Sequence, residues 1–478
     1  MKKILTFLLL FCCLVACKKA APEGNVTHVI HPEWAKNAVI YQVNVRQFSD
    51  EGTFAAVEAQ LDRLAGMGVD ILWLMPIHPI GVEGRKGTLG SYYAVKDYCA
   101  VNPEFGTLED FKQMLDAAHA LGFKVVLDWV ANHTSPDNVW MTGKPADFYE
   151  RDAEGNAIYE FDWSDTRNLN YENEEVWWAQ EDAMRYWLEL GVDGFRCDAA
   201  STVPDKFWKA ILPKIRADYP EIYLLAEAED EKLANPRETF DAHYAWELHH
   251  LLNSLAQGSK SVKDLQDFVA YNAKRFPKES FRLSFTSNHD ENSWAGTEFE
   301  REGKAADACA VLCATLPGSQ LLVYTGQEIG LNRRLEFFEK DPIDDWSPNE
   351  YTVFWKKLIQ LKQQNPALAA GERGGDILWW EAPDGLVAFS REVEGNKVIV
   401  LANFGVAQPQ EAPEVKADAN DNRPQGDVVA RPFLNLESAP VTQTLKLDGE
   451  YKNVFEDTLL SGETSITLAP GQFMVLVK

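Results

Sequence analysis

Residues 124–130 read KVVLDWV, an apolar run without alternation, broken near its C-terminal end by one carboxylate, Asp128. A strand buried on one face alternates. A strand covered on both faces, as in a parallel sheet wrapped by helices, is apolar almost throughout. The same texture recurs in VIYQVNV (39–45), DILWLMPI (70–77), GFRCD (194–198), IYLLAE (222–227), RLSFTSNHD (282–290) and QLLVYTG (320–326), and more weakly in TFDAHY (239–244). With 124–130 these make eight. Between them lie amphipathic stretches such as FAAVEAQLDRLAGMG (54–68) and LEDFKQMLDAAHALG (108–122), each closing on a glycine suited to a helix C-cap. Eight βα repeats predict an α/β architecture, a (β/α)8 TIM barrel over residues 36–370.

The interval between the third and fourth runs is long. Its first part, 134–171, is rich in Pro, Gly, Asp, Asn and aromatic residues and lacks helical periodicity, which predicts a short, functional excursion domain after the third strand. Its aromatics, Trp140, Phe148, Tyr149, Tyr159, Phe161 and Trp163, read mainly as the excursion's own core, with stacking on a ligand as the alternative. Beyond 371 short alternating strands (ILWWEA, LVAFSREV, KVIVLANF, TSITLAPGQFMVLV) predict a C-terminal antiparallel β-sandwich over 371–478. Residues 406–436, rich in Pro, Asp, Asn and Ala, are expected as a long loop within it. Trp379 and Trp380 are adjacent on a strand and point to opposite faces, so at most one is expected to be exposed.

The 478 residues are 46% hydrophobic and 25% charged, a balance that excludes global disorder and permits a large core. Lys and Arg number 46 against 73 Asp and Glu, a net charge of −27. Such a chain repels a phosphate backbone, so nucleic acid is excluded as a partner and a neutral substrate is favoured. At the N-terminus Lys2 and Lys3 precede the apolar run ILTFLLLFCCLVA and Cys17. Leu14-Val15-Ala16-Cys17 resembles the bacterial lipobox, in which the cysteine is lipidated and becomes the new N-terminus. Residues 1–17 are therefore expected to be a lipoprotein signal peptide and 18–35 a tether. The apolar run is too short to span a bilayer. An exported lipoprotein follows, anchored in the outer membrane by lipid alone and facing the periplasm or the cell surface. The remaining cysteines, Cys99, Cys197, Cys309 and Cys313, lack metal-site spacing and are read as structural.

Four apolar runs end in polar or charged residues: Asp128, Asn132 and His133; Arg196 and Asp198; Glu227; His289 and Asp290. In a (β/α)8 barrel that edge is where active sites are built. Asp198 and Glu227 can divide the work of glycoside hydrolysis, in which retaining enzymes hold two carboxyl groups about 5–5.5 Å apart. Arg196 lies two residues before Asp198 and projects to the same side of the strand, so it is expected to keep Asp198 ionised. Glu227 follows Leu-Leu-Ala, and burial beside a carboxylate is expected to raise its pKa toward that of a general acid. The separation of the two carboxyls, and with it the stereochemistry, does not follow from the residues.

DWVANH (128–133), GFRCD (194–198), LLAE (224–227) and TSNHD (286–290) resemble, in order, the four signature segments of the α-amylase family of glycoside hydrolases. LWLMPI (72–77), SYYAVKDYCAVNPEFGT (91–107) and LVYTGQEIG (322–330) resemble further segments of that family. The resemblance implies that Asp198 is the nucleophile, Glu227 the acid/base, and Asp290 a third carboxylate that binds sugar hydroxyls and distorts the ring. It implies substrate contacts from Arg196, from His133 and His289 as hydrogen-bond donors, and from Tyr93 as a stacking platform, with Asp128 orienting the site from behind. The substrate it implies is an α-1,4-glucan or malto-oligosaccharide.

The departures concern calcium, which many relatives bind through an asparagine matching Asn132, an aspartate in the excursion and a histidine after the nucleophile. Here Asn168 replaces the aspartate, Ser201 and Thr202 replace a Lys-His pair, and VRQFSDEGT (45–53) lacks the family's alternative calcium loop. No cofactor is required on this reading, and Asn132 is left as the one candidate calcium ligand. Alternative activities are a cyclomaltodextrinase or neopullulanase, an α-1,6-glucosidase or a 4-α-glucanotransferase. The alternative from another class is an inactive glucan-binding barrel.

Overall fold

A computed structural model describes residues 31–406 and 439–478. The expected signal peptide with Cys17, most of the tether and nearly all of the loop at 406–436 lie outside the described residues. Eight strands form the barrel: β1 (Ile40–Val43), β2 (Ile71–Leu74), β3 (Lys124–Val130), β4 (Gly194–Asp198), β5 (Tyr223–Ala226), β6 (Ala242–Tyr244), β7 (Phe281–Ser284) and β8 (Ser319–Tyr324). Each is parallel to its sequence neighbours, and β8 pairs with β1 to close the ring. They fall on the eight apolar runs.

Side chains along a strand alternate between barrel interior and helix layer. Ile40, Ile71, Val126, Tyr223, Phe281 and Leu322 fill the interior. Two residues beyond Val126 on the same face is Asp128; beyond Leu225 comes Glu227; Arg196 and Asp198 share a face of β4. In register, Arg196 lies beside Asp128, Val130 beside Asp198 and Cys197 beside Ala226. The top interior layer is thus polar while the layers beneath it are apolar. The outer helices start on side-chain caps, for example Thr107 with Asp110 before Leu108–Ala120. Gly68, at φ +95°, closes Leu61–Met67 in a conformation that glycine adopts without strain.

Two expectations are corrected. His31, Trp34 and Ala35, counted in the tether, are packed on the barrel floor: His31 Nδ1 is 2.8 Å from Asp241, and Ala35 accepts from Gln320. The expected C-terminal antiparallel β domain is present: strands β9 (Ile377–Trp379), β10 (Leu386–Val393), β11 (Asn396–Asn403), β12 (Val441–Asn453), β13 (Leu459–Leu468) and β14 (Phe473–Val477) are hydrogen-bonded as one six-stranded antiparallel sheet. β14 joins the halves because it pairs both with β11 and, through Lys452 and Asn453, with β12. One face of this sheet, with Val387, Phe389, Val398 and Val400, joins the barrel's core; the other packs Leu386, Ile399 and Leu401 with Leu445 and Ile466. Arg391, 2% exposed, ties sheet to barrel by donating to the Thr315 and Leu316 carbonyls. The second correction is Cys99, which is exposed and is no core residue, unlike Cys197, Cys309 and Cys313.

The excursion is pinned at its base by an antiparallel pair, His133–Thr134 with Arg167–Asn168. Trp140, Phe148 and Tyr149 form its internal cluster, whereas Tyr159 and Phe161 are 46% and 51% exposed, so the core reading holds for only part of the set. Trp379 packs on Phe389, and Trp380 donates to Ser390 Oγ (3.1 Å); both are half-buried.

Candidate active site

Arg196 is the centre of the polar layer and is fully buried. Its Nη1 donates to Asp128 Oδ1 (2.8 Å) and Asp198 Oδ1 (2.9 Å), its Nη2 stands 2.9 Å from Glu227 Oε2, and its Nε donates to Tyr244 Oη (3.2 Å). A guanidinium so far from water is tolerable only because carboxylates surround it. Side-chain exposure separates these acids: 0% for Asp128, 12% for Asp198, 17% for Glu227 and 36% for Asp290. Asp128 is sealed, and it also accepts from Trp73 Nε1 (3.2 Å) and Tyr93 Oη (3.1 Å). The other three reach the cleft.

Asp290 is joined to the cluster through His289. The imidazole Nε2 lies 2.6 Å from Tyr93 Oη and 3.1 Å from Asp290 Oδ2, while the Gln42 amide nitrogen is 2.8 Å from Nδ1. With Gln42 donating to Nδ1, the proton sits on Nε2. Tyr93 stacks on His289 at 5.4 Å and lies nearly parallel to Phe337 at 6.4 Å. His133, also buried, has no protein partner for Nε2 and leans against Trp163 at 5.3 Å. Burial pushes His133 down to about 4 and His289 well below the usual range, with the charge of Arg196 adding to the latter. Both rings are neutral hydrogen-bonding groups rather than cations at neutral pH.

Arg196, expected to keep Asp198 ionised, does pull that carboxyl down, against two opposing influences. Burial is the largest influence and pushes the Asp198 carboxyl well up; the charge of Glu227 adds to this, and Arg196 opposes it. Burial, then Glu227, likewise raises Asp290 to about 8, and burial raises Asp128 to about 6 against the pull of Arg196. Four carboxyl groups share one guanidinium, so each ionised acid disfavours the next.

The sequence reading missed four contributors. Gln42 orients His289, Trp73 and Tyr244 hold Asp128 and Arg196, and the Ala199 N–H donates to Glu227 Oε2 (2.8 Å). Ala199 does so at φ +41°, a strained conformation for a residue with a side chain. Gln42 did carry a signal, an amide within the apolar run 39–45; Ala199 carried none.

Asn132, the candidate calcium ligand, adjoins the strand pair that holds Asn168. Asn132 Nδ2 lies against His133, Asn168 Nδ2 donates to Glu150, and the pair offers only neutral amide oxygens. Among the described residues no three His, Cys, Asp or Glu side chains stand together as a metal site.

Three comparisons bear on this arrangement. The family model for the α-amylase catalytic domain matches residues 30–156 and 149–346. Alpha-amylase MalA of Haloarcula japonica is 31% identical over 390 residues, which are 78% of this chain but 56% of that protein, so the chain spans little more than half of that relative. The crystal structure of an α-amylase from Lactobacillus plantarum superposes with a TM-score of 0.77 at 31% identity, covering 93% of this chain and 99% of that one. The noncanonic maltogenic α-amylase AmyB from Thermotoga neapolitana gives 0.76 at 26% identity, with coverages of 93% and 99%. A closed barrel whose mouth gathers these carboxylates round one arginine thus meets a matching catalytic-domain model and close structural kin: the chain belongs to the α-amylase family of glycoside hydrolases.

Proposed function

We propose that the protein hydrolyses α-1,4-glucosidic bonds of starch-like glucans or malto-oligosaccharides with retention of configuration. The observation that carries this reading is the sharing of Arg196 by Asp198 and Glu227. Asp198 has one oxygen held by Arg196 and the other without a protein hydrogen bond, directed to the cleft as a nucleophile for the anomeric carbon. Glu227 has Oε2 held by the Ala199 N–H and Arg196, leaving Oε1 to protonate the departing glycosidic oxygen. Once the glucosyl–Asp198 ester has formed, the same carboxylate takes a proton from water, which attacks the ester and restores Asp198. Asp290, with neutral His289 and His133, would hold the hydroxyls of the distorted ring, in which positive charge develops. The mechanism requires no metal.

The test is a time course on maltoheptaose followed by NMR, with Asp198→Asn as control. Early α-anomeric products from the parent, reduced by at least about 10³-fold in the variant, are expected. Early β-anomers would overturn retention, and products longer than the substrate would move the assignment to a glucanotransferase on the same scaffold.

A further inference from the structure

We infer that residues 81–90 form a strap that closes the glycone end of the cleft, so that the enzyme removes short units from non-reducing chain ends. This rests on the hydrolase reading above. The strap follows β2 and is fastened on both flanks. On the excursion side, the Val82 N–H donates to Asp137 Oδ2 (3.1 Å), and Lys86 Nζ donates to the Asp162 carbonyl (2.7 Å) and stands 3.7 Å from Asp165. Gly81 lies so close to the excursion that a Cβ there would be 2.3 Å from Ser135 Cβ. On the other side, beyond β8, the Leu89 N–H donates to the Phe338 carbonyl (3.1 Å) and the Thr88 N–H to Glu339 Oε1 (2.8 Å). Buried Arg46 clamps the same junction by donating to the carbonyls of Gly90 (3.0 Å) and Phe337 (3.3 Å).

Position round the mouth gives the strap its meaning. The strand order runs β8, β1, β2, β3, β4, β5. Asp198 ends β4 and Glu227 follows β5. A proton donor must reach the glycosidic oxygen, so the leaving group lies on the β5 side. The glycone, and any sugar beyond it, therefore extends toward β1 and β2, beneath the strap that joins the loops after β3 and β8. Trp163 beside His133 and Phe337 beside Tyr93 wall that end. Toward β5 no comparable fastening is seen: among the described residues no hydrogen bond or ion pair joins 134–171 to 227–250. A long aglycone can leave there, whereas a long glycone meets the strap.

The experiment compares reduced maltoheptaose with the same chain capped by an acetal across O4 and O6 of its non-reducing glucose, with products read by mass spectrometry. The uncapped chain is expected to lose glucose or maltose from its non-reducing end, and the capped chain to be cut at least about tenfold more slowly, the cap colliding with the strap. Lys86→Ala combined with Glu339→Ala unfastens both flanks and is expected to raise the capped-to-uncapped ratio about tenfold. Equal cutting of both chains by the parent, or internal products from the start, would overturn the strap while leaving the hydrolase reading intact. No turnover of either chain would overturn both. The parent comparison decides the matter even where the double variant does not fold.

Discussion

At the residue scale the site is one cation sharing out four acids. Arg196 touches Asp128, Asp198 and Glu227 directly, and Asp290 is reached through Tyr93 and His289. Two substitutions probe this division. Glu227→Gln keeps the shape but loses the transferable proton, so turnover of glucans is expected to fall by about 10²–10⁴-fold. Aryl α-maltosides with an acidic phenol leaving group need little protonation, and their first, glycosyl-transfer step should fall much less; stopped-flow detection of the phenol burst checks this. Asp290→Asn addresses the cost of packing like charges. A carboxyl ionises near 3.9 in the unfolded chain. In the fold Asp290 is raised to about 8. Between those values the unfolded chain holds fewer protons, so this group lowers stability as pH rises through the window. The variant is expected to melt about 2 °C higher than the parent at pH 8, the scale of a 1 kcal/mol change, and no higher at pH 4. A calorimetric series across pH tests the sign.

At the element scale, close strand packing sets the positions of these side chains. Gly194 opens β4 directly beside Tyr223, and a Cβ there would lie 2.0 Å from the Tyr223 carbonyl oxygen. Gly194→Ala must push β4 off β5, carrying Arg196 and Asp198 away from Glu227. A loss of about 1–3 kcal/mol in denaturant unfolding is expected, with a fall in kcat at unchanged structure of the remaining barrel. β6 shows why the weak run at 239–244 still yields a strand. Asp241 interrupts the apolar pattern, yet it is fully buried because Arg216 (2.8 Å), the Leu224 N–H (2.8 Å) and His31 (2.8 Å) satisfy it. Those partners come from distant parts of the chain, so the sequence pattern at β6 alone reads as faint.

At the scale of the whole molecule, among the described residues no helix is long and apolar enough to cross a membrane. We propose that attachment depends on Cys17 alone. Metabolic labelling with a fatty-acid analogue should mark the parent and fail to mark Cys17→Ser, which should also leave the membrane fraction. Read alone, the chain establishes the barrel, because strands covered on both faces must be apolar and eight such runs stand in order. It also marks Asp128, Arg196, Asp198, Glu227, His289 and Asp290, since charged or polar groups within or at the ends of apolar runs are costly to bury without a shared purpose. What it leaves open is settled by contacts between segments far apart in sequence. The single C-terminal sheet depends on β14 pairing to both sides, the ionisation of Asp198 depends on three other acids round one arginine, and the Ala199 N–H serves Glu227 only through a local backbone twist. The strap over the glycone end depends on loops after β2, β3 and β8 meeting. Periodicity records which face of a segment is buried; it carries no record of which distant segment buries it.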